Sequence, residues 1–420
     1  MDQVNQFPTE AEQIYSRILD IDPKKYDQTR NHLDGFVSQL SPYITHGFLT
    51  LPLLRNALYS MHRPQDCYRF IFEMCWREFF QRRFARFGER SLFEESESRK
   101  TGLEYLNLLP QQILEANTGI KALDSGLNQL FESGYIHNHS RMWLASYITH
   151  FCRTDWKIGA DLFFYHLLDG DLASNSLSWQ WVFGTFSDKA YYFNQENINK
   201  YSPAVFSQKG TFLDMSYEEI YDLLFVKKQQ LFEVGKRDVF APVSDFSEIE
   251  NDLMSEDGLL ELIANYDQVI YFHEWMLNPA LLEEIETESL AVFIIDRKFW
   301  EKYPASAKRF RFMVDLAKNI HDVKIFLGDP VTLFKKAALA RHINRGSLKI
   351  ISQEYFSDFT KSNFTSLKVG RNINFEVLPY PWLVPDSPPV PNRFSSYFRN
   401  IERSLFGDKF ARAINPWKNN

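Results

Sequence analysis

The chain has 420 residues, with 47 lysines and arginines against 54 aspartates and glutamates, and a formal net charge of -7. This acidic balance argues against charge-driven, non-specific binding of nucleic acid, although it allows a local basic surface. The length permits two domains with separate cores, and 16% aromatic residues favour a helical core packed with rings. No apolar run reaches membrane-spanning length and no leader-like segment opens the chain, so we expect a soluble, cytoplasmic protein.

The three cysteines, Cys67, Cys75 and Cys152, cannot all pair with one another, and their spacing is not that of metal ligands. Buried thiols in a reducing compartment are the expected outcome. The sequence therefore predicts neither a disulfide framework nor a metal site.

The N-terminal part combines a short helix with an irregular segment. Residues 9–20 have the apolar period of a helix, and residues 26–41 have the composition of a polar loop. Ser41 is expected to cap a helix that Pro42 opens. Free amides at a helix start bind phosphate well, but an ordinary capped helix start explains the same residues.

A long helix is predicted from Cys67 to Phe87. Glu73, Trp76 and Arg77 share one face of it and together form a polar surface with one stacking ring. Taken alone, a Glu73–Arg77 ion pair with Trp76 in the core is the simpler interpretation. A basic patch follows, either as a solvated face or as a contact for backbone phosphates: Arg82, Arg83, Arg86 and Arg90.

The middle of the chain carries a predicted helix at 118–134, the motif YIHNHSRMW and then the stretch YHLLDGDLASNSLSWQW at 165–181. Asp169 and Asp171 flank one glycine in a turn, so both carboxylates can point at one ligand. Asn175 adds a donor and an acceptor, and two tryptophans follow. Such a turn suits a flat, redox-active ligand that forms hydrogen bonds.

The C-terminal half alternates apolar strands with helices, which is the βαβ pattern of a buried parallel sheet. The predicted strands are Val269–Phe272, Leu290–Ile295 and Val323–Leu327, with a connecting helix at 306–320. A charged, proline-containing join at 236–246 separates this part from the amphipathic helices before it.

The tail begins with a proline-rich, extended strap at 378–391 and continues as a basic, aromatic helix at 392–414. This helix is expected either to dock on the first domain or to fray. The predicted domains are 1–235, 236–380 and 381–420.

Ordered blocks of this sequence resemble the DNA photolyase and cryptochrome family. They are SQLSPYITHG at 38–47, EMCWREFF at 73–80, TGIKALD at 118–124, GYIHNHSRMW at 134–143 and DGDLASNSLSWQW at 169–181. The usual family form of the last block is close to DGDLAANNGGWQW. The resemblance implies a multidomain fold, with an all-α FAD-binding photolyase-like domain followed by an α/β Rossmann-like domain of the antenna type. Since the antenna-type domain normally comes first, this order implies a circular permutation; an unrelated flavodoxin-like or Rossmann-like domain is the alternative.

The same resemblance implies FAD as the cofactor. Tyr26 and the serine-containing loop would wrap the pyrophosphate, and Asn175 would lie opposite flavin N5. Arg77 would lie at the flavin side and is the predicted partner of Asp169. The full set of predicted cofactor residues is Tyr26, Val37, Ser38, Gln39, Leu40, Ser41, Arg77, Asn138, Arg141, Asp169, Asp171 and Asn175. Binding of an antenna chromophore stays open, because the Arg-Asp pair usual in that domain is absent.

The resemblance also implies a binding surface for a pyrimidine dimer. Glu73 would hydrogen-bond a lesion base and Trp76 would stack on it. Asn138 and Met142 match enzymes for cyclobutane dimers, whereas enzymes for the (6-4) lesion carry histidines at these positions. His139 replaces a more usual arginine or leucine, and is expected to titrate near neutral pH or to be a simple surface histidine.

Trp156 and Trp179 match two members of the family's electron-transfer chain. The third usually lies within 91–117, which contain no tryptophan, so the chain of rings is truncated or rerouted through Trp143, Trp181, Tyr191 or Tyr192. Core packing is the simpler interpretation of the first two of these.

The predicted function is that of a deoxyribodipyrimidine photolyase, in which photoexcited, reduced FAD donates an electron that splits a cyclobutane dimer flipped out of the helix. The partner would be UV-damaged DNA, with single strands open as a substrate, and the chain would act as a monomer away from membranes. A cryptochrome-like photosensor and a degenerate flavin fold that only binds nucleic acid are the alternatives.

Overall fold

The computed structural model describes residues 6–92, 103–186, 189–228, 236–283, 285, 287–341 and 346–407. Within these residues the α-helices are α1 (Ala11–Leu19), α2 (Pro23–Thr29), α3 (Ser41–Thr45), α4 (Leu51–Met61), α5 (Tyr68–Phe87), α6 (Gln111–Leu114), α7 (Lys121–Ser133), α8 (Asn138–Ser146), α9 (Trp156–His166), α10 (Leu172–Phe183), α11 (Gln195–Tyr201), α12 (Tyr217–Tyr221), α13 (Glu256–Asn265), α14 (Ala280–Glu283), α15 (Arg297–Lys302), α16 (Ala307–Ala317), α17 (Pro330–Arg341), α18 (Asp358–Lys368) and α19 (Phe394–Phe406). The strands are β1 (Leu109–Pro110), β2 (Arg237–Asp238), β3 (Gln268–Phe272), β4 (Leu290–Asp296), β5 (Lys324–Gly328), β6 (Leu348–Gln353) and β7 (Ile373–Leu378). Short 3₁₀ and π turns occupy Gly88–Leu92, Tyr147–Phe151, Ala204–Phe206, Asp222–Val226 and Ser247–Asp252. Residues 408–414 of the predicted last helix lie outside the described residues.

The chain folds into two compact units that interleave along the sequence. The sheet unit comprises residues 1–23, 38–89 and 243–420, and the helical unit comprises residues 24–37 and 90–242. The boundary after Pro242 falls inside the predicted join at 236–246, but the predicted domains are contiguous and the units are not. Residues 38–89 belong with the sheet because their partners come from the C-terminal half; for example, His46 Nδ1 lies 2.8 Å from the carbonyl oxygen of Glu274.

The sheet unit is built on five parallel strands in the order β5-β4-β3-β6-β7. β3 and β4 are buried along their whole length and pair with Val269 opposite Leu290, as expected of apolar strands covered on both faces. The three predicted strands and the helix between them are confirmed, and β6 and β7 extend the sheet. The α/β part of the predicted fold class is therefore confirmed.

The helical unit packs its helices around one aromatic core. α8, α9 and α10 each begin with a side chain that accepts a backbone N–H, namely His137, Asp155 and Asp171. α7 ends at Gly134, whose φ of 69° is the left-handed conformation that glycine adopts most readily. The predicted helix stop is confirmed, and these caps fix the entry to the helices that carry the candidate site.

Two local predictions in the N-terminal part are wrong. Residues 26–29 are helical, because α2 starts at Pro23, whose fixed φ suits a first helical turn. Ser41 does not cap α3; it is the first helical residue, and Leu40 before it provides no side-chain cap. With only five residues, α3 has a weak dipole with which to attract an anion.

All three cysteines are buried as free thiols, as predicted. Burial, with the charge of Asp66 second, raises the pKa of the Cys67 thiol to about 11, so this sulfur stays protonated and unreactive at neutral pH. Across the described ranges, no helix combines the length and the apolar character needed to cross a membrane.

A buried carboxyl at the end of β3 gives the fold a pH dependence. Glu274 is 4% exposed, and burial, followed by the charge of Asp296, raises its pKa to about 8. The folded chain keeps this proton at neutral pH, whereas an unfolded glutamate, with a pKa of about 4.3, has lost it. The contribution of this proton to the free energy of unfolding is complete below about pH 4.3, the pKa of the unfolded glutamate. It falls by about 1.4 kcal/mol per pH unit above that and is lost once the pH passes about 8, the pKa in the folded chain.

We expect Glu274→Gln to abolish this decline, as measured by urea unfolding of the wild type and the variant at about pH 6 and about pH 7. Glutamine keeps the shape of the side chain and cannot ionise. A variant whose stability falls as steeply as that of the wild type would contradict the assignment of the proton to Glu274.

Candidate functional site

An ion pair ties the acidic turn to α8 in the helical unit. Arg141 Nη2 donates to Asp169 Oδ2 at 2.8 Å, and Arg141 Nε donates to the carbonyl oxygen of Ile136 at 2.9 Å. The Asp169 side chain is 4% exposed and that of Arg141 is 25% exposed, so water screens the pair only weakly. Within the helical unit Arg141 is therefore a partner of Asp169, whereas the predicted pairing of Asp169 with Arg77 stays a prediction.

Asp171 and Asn175 lie one turn apart at the start of α10. Asp171 Oδ1 accepts the N–H of Ser174 at 2.7 Å, and so holds the first turn of the helix in place. Asn175 Nδ2 donates to the carbonyl oxygen of Ala160 in α9 at 2.8 Å. Because its nitrogen is engaged, the side chain of Asn175 can offer Oδ1 as an acceptor to a ligand N–H.

Two buried polar atoms beside this turn have no hydrogen-bond partner in the part of the chain that the structure describes: Ser174 Oγ and His137 Nε2. Burial, with the charge of Arg141 second, lowers the pKa of His137 to about 4, so the ring is neutral. Unpaired buried polar atoms are costly and favour a polar ligand at this place, such as a flavin with its ring nitrogens and oxygens. Sequence reasoning missed both residues, although Ser174 stands where the usual motif has alanine.

The amide of Asn138 and the thioether of Met142 lie next to each other on one face of α8. Asn138 is exposed, and its Nδ2 lies 3.8 Å from Met142 Sδ, one turn along the helix. His139 points elsewhere: it is 8% exposed and lies between the rings of Trp143 and Tyr201, at centroid distances of 5.2 Å and 4.6 Å. Burial first, and nearby cationic groups second, lower its pKa to about 4. Both expectations for His139, a surface position and titration near neutral pH, are wrong.

Trp156 and Trp179 are buried in the same aromatic core, at 6% and 2% exposure. Trp179 packs edge-to-face on Phe163, with ring centroids 5.0 Å apart, and its six-membered ring rests on Gly159 of α9. A Cβ at Gly159 would lie 2.3 Å from Trp179 Cη2. The position of this indole therefore depends on the glycine beneath it.

We expect Gly159→Ala to lower the free energy of unfolding by about 1–3 kcal/mol, because overpacking against a rigid indole outweighs the roughly 1 kcal/mol that alanine gains in a helix. Urea unfolding measures the loss, and tryptophan fluorescence reports the displacement of Trp179. The control is Gly126→Ala in α7, where the nearest atom to the new Cβ is a Leu144 methyl at 3.3 Å. Equal stability of the two variants would contradict the prediction.

Trp143 and Trp181, the other tryptophans that were considered for electron transfer, differ in their surroundings. Trp143 is fully buried, and its Nε1 donates to Asn197 Oδ1 at 2.9 Å, as the core-packing interpretation expects. Trp181 is half-buried and stacks on Tyr191, with ring centroids 5.9 Å apart and planes inclined by 30°. The rerouting of electron transfer through Trp181 and Tyr191 stays a prediction.

The serine-containing loop before α3 belongs to the sheet unit. Gln39 has a φ of 53°, which is uncommon for any residue other than glycine, and its Oε1 accepts from Arg17 Nη1 at 3.5 Å. Leu40 after it is fully buried, so the strained turn is held by packing. Such strain often marks a functional loop. Tyr26 and Val37, predicted for the same role, belong to the helical unit.

Arg77 lines a small cleft of the sheet unit near the carboxyl ends of β3 and β6. Trp275 forms part of the same wall, and its ring stacks between Tyr355 at 5.0 Å and His46 at 6.1 Å. The order in which the strands are added to the sheet reverses between β3 and β6, which is where doubly wound sheets usually bind a ligand. In this chain aromatic side chains take up much of that crevice.

An aromatic side chain from the C-terminal part of the protein covers part of the α5 face that was predicted to bind a lesion. Phe394, the first residue of α19, stacks on Trp76 with centroids 3.7 Å apart and planes inclined by 16°. Glu73, one turn earlier on α5, is half-buried, as is Trp76. A stacking surface of Trp76 is therefore occupied in the folded chain. Of the two alternatives for the last helix, docking is confirmed.

The arginines at the end of α5 bind the proline-rich strap. Their guanidinium groups donate to strap carbonyl oxygens, from Arg82 to Val384 at 2.5 Å, Arg83 to Pro391 at 2.9 Å and Arg86 to Val390 at 2.8 Å. Arg82 also lies over the ring of Trp382, at 4.1 Å from its centroid. The expectation of a solvated arginine face is wrong for Arg82 and Arg83, whose donors bind the strap, whereas Arg86 donates to the strap and is still exposed.

The sequence model of the FAD binding domain of DNA photolyase matches residues 70–217. Over this segment the chain is similar to proteins of the DNA photolyase and cryptochrome family. The matched segment contains Arg77 and every predicted site residue from Asn138 to Asn175, whereas Tyr26 and the loop at 37–41 lie before it. The helical, FAD-binding part of the predicted fold class is thereby confirmed.

Among its relatives, the chain is 30% identical over 205 residues to a deoxyribodipyrimidine photo-lyase of Buchnera aphidicola, covering 45% of this chain and 42% of that protein. It is 30% identical over 173 residues to a cryptochrome DASH of Natronomonas pharaonis, covering 39% and 36%. A solved bacterial class III photolyase from Agrobacterium tumefaciens is 27% identical, with a TM-score of 0.41 and coverage of 46% and 42%. The chain thus spans less than half of the length of these relatives, which include both photolyases and cryptochromes.

Proposed function

We propose that the chain is a deoxyribodipyrimidine photolyase that binds FAD and splits cyclobutane pyrimidine dimers in light. The observation that carries the proposal is the geometry of Asn175, whose Nδ2 is held by the Ala160 carbonyl so that Oδ1 is an acceptor for a ligand N–H. A neutral amide supplies this contact without adding a second negative charge beside an electron-rich ring. Asn175 lies inside the segment that matches the FAD binding domain.

The other residues of the turn complete a polar setting for the cofactor. Arg141, held by Asp169, would lie over the ring, Asp171 would accept from its polar edge, and Ser174 Oγ and His137 Nε2 would find partners in it. Bound FAD in its reduced form would supply the light-driven electron that splits the dimer. The chain's own residues would orient the ring and keep water from it.

The lesion would contact Asn138 and Met142, which lie together on α8. The role of the Glu73–Trp76 face of α5, in the sheet unit, stays a separate prediction. Exposure of Asn138 supports the first contact. Trp156 and Trp179, which are buried in one core, would pass electrons to the cofactor. The three buried, free thiols are compatible with the cytoplasm as the compartment. UV-damaged DNA is the proposed partner, in double or single strands. An absorption spectrum of the purified protein would show whether an antenna chromophore is bound as well.

The test combines an absorption spectrum of the purified full chain with a repair assay on an oligonucleotide that carries one thymine dimer. Flavin bands and the release of thymine only in light are expected. Absence of repaired product in light, with reduced flavin bound, would reject the proposal.

Asn175→Leu keeps the side-chain shape without the acceptor and is expected to slow repair about tenfold, the equivalent of one lost hydrogen bond. The matched control makes the same change at the exposed Asn56 of α4 and is expected to repair like the wild type. Equal rates for the two variants would remove Asn175 from the cofactor site.

A cryptochrome-like photosensor is the second candidate, and the Trp76–Phe394 stack is the observation that favours it, because a lesion-binding surface needs Trp76 uncovered. In that case the chain binds FAD, the repair assay yields no product, and light changes its affinity for a partner. A purified protein that takes up no FAD would contradict both candidates and favour nucleic-acid binding alone.

A further inference from the structure

The strand β7 forms an open edge of the five-stranded sheet. Within the described residues it pairs with β6 alone, and the register between the two strands contains no bulge. The other edge, at β5, is partly covered by the chain itself, because the carbonyl oxygen of Ile325 accepts the N–H of Met254 at 2.8 Å. A strand edge presents backbone N–H and C=O groups to which a further strand can bind. Of the two edges, the one at β7 is therefore the more open to a partner.

Two hydrogen bonds at the ends of β7 show which of its backbone groups face away from β6. The carbonyl oxygens of Asn372 and Leu378 accept N–H groups from β6 and from the residue after it, each at 2.8 Å. Along a strand, the N–H and C=O of one residue point to the same side, and those of the next residue point to the opposite side. The even-numbered residues therefore bind β6, and the residues that face outward are Ile373, Phe375 and Val377.

The side chains of β7 also suit a neighbouring strand. The three outward-facing residues are apolar and pack on the core of the sheet unit, but they are only half-buried. Among them, Phe375 packs edge-to-face on Phe364 of α18, with ring centroids 5.0 Å apart. Asn374 and Glu376 are exposed on the other face, where the Glu376 carboxylate pairs with Lys349 at 3.2 Å. The strand carries neither proline nor lysine, two residues that protect edges from pairing.

We propose that β7 pairs with β7 of a second copy of the chain, in antiparallel orientation, about a two-fold axis that passes between the two Phe375 residues. A two-fold interface joins identical surfaces, so the strand has to be complementary to itself. With Phe375 opposite its own copy, Ile373 lies opposite Val377 of the second copy. The outward-facing residues then exchange about six backbone hydrogen bonds, and the two sheets become one.

The side chains on the exposed face favour this register over its neighbours. Asn374 lies opposite Glu376 of the second copy, where the amide can donate to the carboxylate. An axis at Glu376 would place two carboxylates opposite each other, which is unfavourable. An axis at Asn374 would set Val377 opposite Arg371, which lies before the strand begins. The proposed register is therefore the one in which every outward-facing residue of β7 has a partner within the strand.

This dimer goes beyond the proposed repair function and replaces the monomer expected from the sequence. The test measures the mass of the purified full chain in the dark by analytical ultracentrifugation, from about 1 to about 100 µM, the range in which small interfaces associate. The wild type is expected to shift from the 49.6 kDa of one chain toward twice that mass. A wild type that stays at the mass of one chain throughout would overturn the proposal.

The outward-facing N–H of Val377 provides a matched pair of variants. Val377→Pro removes this donor and leaves the hydrogen bonds to β6 in place, so it is expected to weaken the dimer at least about tenfold. Val377→Ala changes the same side chain but keeps the N–H, and is expected to retain most of the association. Dimers of equal strength in the two variants would contradict pairing through this edge.

The register is tested by charge changes on the exposed face, which do not depend on the folding of the proline variant. Asn374→Lys places an ammonium group opposite Glu376 of the second copy and is expected to tighten the dimer about fivefold, whereas Asn374→Glu should weaken it by a similar factor. Asn56→Lys on α4 alters the net charge equally and should leave the association unchanged. Equal association of the two Asn374 variants would overturn the proposal. Loss of repair activity with these results intact would reject the proposed function alone.

Discussion

Replacing Arg141 with leucine is expected to destabilise the folded chain by about 3–5 kcal/mol, because the change removes the guanidinium group that is paired with the buried Asp169 carboxylate. The Asp169 side chain is 4% exposed, so water screens its charge only weakly. The variant also loses the donor to the Ile136 carbonyl. Urea unfolding followed by circular dichroism measures the difference, and the FAD content of the purified protein provides a second readout.

The control for this prediction is the double variant Arg141→Leu with Asp169→Leu. Replacing both members of a buried pair by apolar side chains is often close to neutral, so the double variant should regain most of the lost stability. It should remain without cofactor, since both proposed contacts are gone. A single variant within about 1 kcal/mol of the wild type would show that the pair is not shielded as the structure describes.

Replacing Glu78 with leucine is expected to cost a similar 3–5 kcal/mol and to release the strap. This carboxylate is 1% exposed and accepts from two strap amides, from Arg82 at 3.0 Å and from the Tyr397 hydroxyl at 3.3 Å. Its loss leaves several buried donors without an acceptor, and each unsatisfied donor costs about 1–3 kcal/mol.

Glu78→Gln is the matched variant, because it keeps one acceptor oxygen in place and is expected to lose about 1–2 kcal/mol. Urea unfolding gives the stability, and limited proteolysis within the strap gives its release. If the leucine and glutamine variants unfold at the same urea concentration, the hydrogen bonds to the strap contribute little and the packing of α19 alone holds the tail.

Short-range rules predicted a large part of this fold and the acidic turn at Asp169 and Asp171. β3, β4 and β5 are nearly continuous apolar runs, and such runs identify buried parallel strands without knowledge of their neighbours. The turn that carries Asp169 and Asp171 was predicted because turn chemistry acts over a few residues, whereas the role of Asn175 rests on the family resemblance and stays a prediction. β7 was missed because it lies at the edge of the sheet and is half-exposed, so its residues 373–378 lack the apolar run of a central strand.

Long-range partners could not be predicted in the same way. Nothing within a few residues of Trp76 indicates that Phe394 will stack on it, and nothing near Arg83 indicates that a strap carbonyl will take its donor. Both contacts join the first quarter of the chain to its last part. A row of arginines looks the same in sequence whether it faces water, phosphate or a peptide. The burial of His139 was missed for the same reason, since Tyr201 covers it from another helix.

The packing of α5 against α19 has a consequence for synthesis on the ribosome. α5 emerges early with Phe72, Trp76 and Phe79 on its surface, and the rings of α19 that cover them are translated only near the end. Nascent chains that have reached the middle of the sequence therefore display an aromatic helix with no partner, a feature that attracts holdase chaperones and promotes aggregation. Translation arrest before residue 394 is expected to yield insoluble or chaperone-bound fragments, and completion of the last helix should release them.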